Sequence, residues 1–121
     1  MNTFELKTVN NALQQVQSDD DALALAGLVM KLSRRLPHND VVWERAEEQL
    51  LGALIKHEVE TSKDRTFSNI LEMLRCDLDA ALQYEADWLA FKQSTSEKFR
   101  RAAANGLEMR LMDLRLLSKL A

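Results

Sequence analysis

The chain has 121 residues, 46% of them hydrophobic and 29% charged, with a formal net charge of −3. That size fits one domain, residues 1–121, whose core needs neither disulfides nor metal. The slightly acidic balance argues against a general nucleic-acid binder, because such domains tend to be basic. The one cysteine, Cys76, excludes an intramolecular disulfide and fits a reducing compartment. The N-terminal stretch lacks the basic region and apolar core of a secretory signal. The longest apolar run, Ala22 to Met30, is too short to span a bilayer. A cytoplasmic location without membrane attachment is expected.

Three glycines and one proline leave few chain breakers, and abundant Leu, Ala, Glu and Gln favour helix over strand. The first helix is predicted from Phe4 to Val16, with Asn2 or Thr3 as its cap. The polar run Gln17–Asp21 then serves as linker and as the acidic first turn of a second helix, where three aspartates suit the positive dipole end. That second helix, Asp19 to Leu36, carries Leu25, Leu28, Val29, Leu32 and Leu36 on one side and small residues elsewhere, so it is expected to lie centrally. Pro37 stops it, and Asn39 caps a third helix, Asp40 to Glu60, with Trp43, Ala46, Leu50, Leu54 and His57 in a stripe.

Thr66 is placed as the cap of a fourth helix running to Phe91, whose seam (Phe67, Leu71, Leu74, Leu78, Ala81, Glu85 and Trp88) follows coiled-coil steps. At roughly 1.5 Å per residue it would be a strut about 38 Å long. Ser94 and Glu97 form a capping-box pattern that starts a fifth helix, Glu97 to Ala121. This last helix has two apolar stripes, one with Phe99, Ala103, Leu107, Leu111, Leu114 and Leu117, the other with Ala102, Met109, Met112, Leu116 and Leu120. A strip with Arg101, Ala104, Glu108, Arg115 and Lys119 is left for water. A helix packed on a single layer needs only one such stripe. The fold expected is therefore all-α, a four- to five-helix antiparallel bundle in one domain, with the second and fifth helices inside.

Residues that carry chemistry do not form a recognisable constellation. His57 and Glu60 have helical ligand spacing, but the Glu-x-x-His pairs of a di-iron bundle are absent, and His57 reads as structural. Cys76 has no activating neighbour on its helix face and reads as a small core residue. The isolated Gly27, Gly52 and Gly106 make no phosphate loop. Glu85 falls inside the apolar seam, where an unpaired carboxylate is costly, so Arg110 or Arg100 is expected to pair with it. No enzymatic activity, cofactor or metal is expected.

Lys98, Arg100 and Arg101 crowd the first turns of the last helix, where cations oppose the dipole. Neutralisation by the acidic face of the fourth helix is the ordinary explanation; docking of an acidic protein and phosphate contact are the others. Methionines such as Met73, Met109 and Met112 more often fill core gaps than line an adaptable groove. Together these features lead to the expectation of a small protein-binding adaptor, inhibitor or regulator of a bacterium, phage or plasmid. It would act through Arg100, Arg101, Met109, Met112, Leu116, Lys119 and Leu120, with self-association as the first use of the surplus apolar surface. Nucleic-acid association through the same basic residues is the alternative.

Overall fold

The computed structural model describes residues 3–33 and 41–120, with side chains placed for 9–33 and 42–114. Among the described residues it is helical without strands: α1 (Thr3–Gln14), α2 (Asp19–Leu32), α3 (Val41–Thr61), α4 (Phe67–Arg75), α5 (Leu78–Leu82), α6 (Ala86–Ser94) and α7 (Glu97–Leu120). The expected Leu36, Pro37 and Asn39 boundary signals lie outside the described residues.

Local capping sets most boundaries. Ser18 Oγ accepts from the Asp21 N–H at 3.1 Å and Asp21 Oδ2 accepts from the Gln17 N–H at 3.0 Å, a reciprocal cap that opens α2. Thr66 opens α4 as expected, its hydroxyl accepting from the Asn69 N–H at 3.1 Å. The cap of α7 is Ser96 rather than Ser94: Ser96 Oγ accepts from the Phe99 N–H at 3.1 Å, while Ser94 ends α6.

The long fourth helix is not formed. Cys76 adopts extended backbone, and Asp77 Oδ1 accepts from the N–H groups of Asp79 and Ala80 at 3.0 and 3.3 Å, which starts α5 anew. A second interruption at Gln83–Glu85 separates α5 from α6. Aspartate is among the strongest N-caps because its side chain offers the backbone an alternative to continued helix, so Asp77 outweighs the seam periodicity. The breaks let α4 pack on α7 while α6 packs on α3. Cys76, expected in the core, is exposed at the first of these breaks.

The central helix is α3, not α2. Every residue from Leu50 to Ile55 is buried; at about 100° per residue this run takes in the whole helix circumference. α3 packs against α2, α4, α5, α6 and α7. On α2 only Ala22, Leu25, Ala26, Val29 and Met30 are buried, and Leu23, Ala24 and Leu28 face outward. The polar residues of α3 made it read as amphipathic, yet two of them, Glu47 and Glu58, are buried with partners. Glu58 Oε2 accepts from the Thr66 N–H at 3.0 Å and from Asn69 Nδ2 at 2.7 Å, tying the end of α3 to the start of α4.

Two arginines close helix ends across the core. Arg65 Nη1 donates to the carbonyls of Leu13, Gln14 and Val16 at 3.2, 3.3 and 2.9 Å, where α1 ends. Arg110, 4% exposed, donates from Nε to Glu47 Oε1 at 3.0 Å and from Nη1 to the Ser33 carbonyl at 3.2 Å, beyond the last turn of α2. Both place a cation at the negative end of a helix dipole. On one side, α7 buries Ala103, Ala104, Leu107, Leu111 and Leu114. Ala104, expected in the water-facing strip, is therefore in the core, because α1, α3 and α4 all pack on α7.

Candidate functional site

The face of α7 turned away from the core carries Lys98, Arg101, Ala102, Asn105, Met109 and Met112, all exposed. Met109 is 51% and Met112 43% exposed, so neither fills a gap in the core. Met112 has one internal tie: its Sδ accepts from Arg75 Nη2 at 3.4 Å, and Arg75 Nε donates to Glu108 Oε1 at 3.1 Å. This places Met112 at the α4 border and Met109 further from it. Asn105, which the apolar projection did not single out, shares the face; its position between Ala102 and Met109 was the available signal.

The basic residues at the head of α7 are largely engaged. Arg100 Nη1 donates to the Lys92 carbonyl at 2.9 Å and to the Thr95 carbonyl and hydroxyl, so it closes the end of α6. Arg101 pairs with Glu97 one turn earlier at 3.1 Å, both side chains well exposed, an arrangement of little energetic weight. Lys98 is exposed, with no ion pair among the described residues. The acidic face expected to neutralise these cations makes no ion pair with them among the described residues: its Asp79 instead binds Lys92 at 3.0 Å, and that ammonium first, with help from the Trp88 N–H, holds the Asp79 carboxyl below its ordinary value. The side chains of Leu116, Lys119 and Leu120 lie outside the described residues.

Glu85 finds neither expected arginine. Its partner is His57, with Nδ1 3.3 Å from Glu85 Oε1, and both side chains are partly buried. Arg110 is committed to Glu47 instead. Glu60 joins the same cluster: its hydrogen bond with Glu85, and then burial, raise its carboxyl above the ordinary value. Lys56 binds Asp87 beside them and lies 3.9 Å from Asp19, linking α3 to α6 and α2. Among the described residues no group of three or more His, Cys, Asp or Glu is arranged to hold a metal ion.

Two surface hollows are lined by described residues. One, of about 500 Å³, lies between the α4–α6 segment and the head of α7 and includes Cys76, Leu78, Trp88, Lys92, Arg100 and Arg101. His57 is not among its lining residues, so no cysteine–histidine pairing arises there. The other, of about 450 Å³, runs between α1 and α2 over Ala12, Val16, Leu25 and Leu28. No helix of the described residues is long and apolar enough to cross a membrane. Compared with known protein families, characterised proteins and solved structures, the chain matches none of them.

Proposed function

We propose that the protein is a non-enzymatic, single-domain protein-binding module, an antiparallel helical bundle that acts in the cytoplasm through the outer face of α7. The observation that carries this reading is the exposure of Met109 and Met112, midway along a helix whose opposite side is buried. Methionine is flexible and polarisable, and it is used often on surfaces that adapt to a partner helix. Self-association is the first use expected of the face, and an exposed lone thiol at Cys76 suits a reducing compartment. Nucleic-acid contact has less to stand on, since Arg100 is engaged with backbone carbonyls and Arg110 is buried.

Affinity capture from the native host tests the reading. The tagged chain should retain a protein, or an untagged copy of itself, that the M109E/M112E variant releases while keeping its helical circular dichroism. Equal recovery with both proteins would overturn it.

A further inference from the structure

We infer that the start of α6 is fastened to α3 by a proton-operated catch, closed while the Glu60 and Glu85 carboxyls share one proton and open once both are ionised. The side chains that meet there are Lys56, His57 and Glu60 from α3, Glu85 and Asp87 from the start of α6, and Asp19 from the head of α2. Four carboxyls thus face one lysine and one histidine, an excess of acid that a shared proton relieves. Glu85 lies between His57, whose Nδ1 is 3.3 Å from its Oε1, and Glu60, which hydrogen-bonds it from the exposed edge. A hydrogen bond between two carboxyl groups exists only while one of them holds a proton. That bond, before any other influence, keeps the Glu60 carboxyl above its ordinary value.

The segment on which the catch acts is the interruption between α5 and α6. Glu85 occupies the N-cap position of α6 and yet makes no side-chain cap hydrogen bond; its carboxyl, 14% exposed, is turned to α3 instead. Tyr84 beside it is 88% exposed, while Leu82 on one side and Trp88 on the other are buried. Movement is therefore confined to the turn between those two anchors. The raised carboxyl keeps the catch closed below the ordinary value of 4.5 and releases it as pH rises through the higher folded value. Glu60 and Glu85 then repel each other, and Asp19 adds to the repulsion. Lys56 stays charged throughout, because its hydrogen bond to Asp87 first of all holds the ammonium above its ordinary value. A local change of charge thereby biases a turn with two arrangements, docked on α3 or freed from it.

Hydrogen exchange of the full chain from about pH 4 to about pH 8, corrected for the intrinsic chemical rate, tests the catch. The reporters are the Glu85 N–H, bonded to the Leu82 carbonyl at 2.9 Å, and the Leu89 N–H, bonded to the Glu85 carbonyl at 3.1 Å. Their protection should fall several-fold as pH rises, while the amides of Leu107 and Leu111 in α7 keep theirs. E60Q, whose amide still donates to Glu85 but carries no titrating proton, should hold the acid-side protection at every pH. H57Q should keep the fall and move it to higher pH, because His57 opposes the raising of Glu60. Protection that does not change with pH in the wild type, a fall that persists in E60Q, or one that vanishes in H57Q would overturn the inference. So would an equal loss in α7, the sign of global unfolding rather than a local release.

Discussion

Arg110 Nε lies 3.0 Å from Glu47 Oε1, joining residues 63 positions apart inside the fold. The pair fastens α7 to α3, and through the Ser33 carbonyl the same guanidinium reaches the end of α2. Removing one partner leaves a buried charge uncompensated, a loss typically of about 3–5 kcal/mol. R110A and E47A should each fall in that range in urea unfolding. The apolar double replacement E47L/R110M should recover most of it, since hydrophobic pairs often substitute for buried ion pairs without net loss.

Gly106 gives a prediction whose sign is informative. At an ordinary helix position Gly→Ala gains about 1 kcal/mol. Here a Cβ would sit 2.7 Å from Glu47 Oε1 and 3.1 Å from its carboxyl carbon, and overpacking of this kind costs about 1–3 kcal/mol. G106A should therefore destabilise the wild-type protein. In an E47A background the same substitution should cost less or turn stabilising, and additivity in the double-mutant cycle would contradict the contact.

Asp77 decides where the predicted long helix breaks. Its carboxylate accepts from two backbone N–H groups at the start of α5. D77A should lose about 1 kcal/mol, the usual worth of a side-chain N-cap, read by thermal unfolding. D77S should retain most of the stability, because serine caps nearly as well.

Two carboxyls give opposite pH dependences. Glu60 has its carboxyl raised from 4.5 by Glu85 and by burial, with His57 opposing. Such a group contributes stability that is fully present below the unfolded value of 4.5 and is lost as pH rises through the higher folded value. E60Q should thus be at least as stable as wild type at neutral pH, and a lower melting temperature there would contradict the cluster. Asp79, lowered from 3.8 chiefly by Lys92, contributes stability above that value that is lost as pH falls through the lower folded one. D79N should remove that acid-side loss.

The C-terminal closure of α1 depends on Arg65, whose guanidinium donates to the carbonyls of Leu13, Gln14 and Val16 where the helix ends. Hydrogen bonds from a charged donor are worth about 1.5–3 kcal/mol. R65A should lose a similar amount, and hydrogen exchange should show faster opening of the last turn of α1.

The sequence by itself determined the helical class, the boundaries at Ser18, Thr66 and the head of α7 to within a residue or two, and the amphipathic period of α7. These are local properties: a cap is a side chain reaching its own backbone, and an amphipathic stripe follows from the helical period. Tertiary structure alone decided the rest. Whether Glu47 and Glu58 were surface residues or buried anchors depended on where Arg110 and Asn69 came to lie, and that made α3 rather than α2 the centre. Glu85 met His57 instead of an arginine because the break at Asp77 turned α6 back onto α3. On α7 the period gave two apolar stripes, of which the one with Met109, Met112, Leu116 and Leu120 is expected to be surplus. Packing by α1, α3 and α4 chose the stripe of Ala103, Leu107 and Leu111, since burial depends on neighbours distant in sequence, and so left Met109 and Met112 to face water.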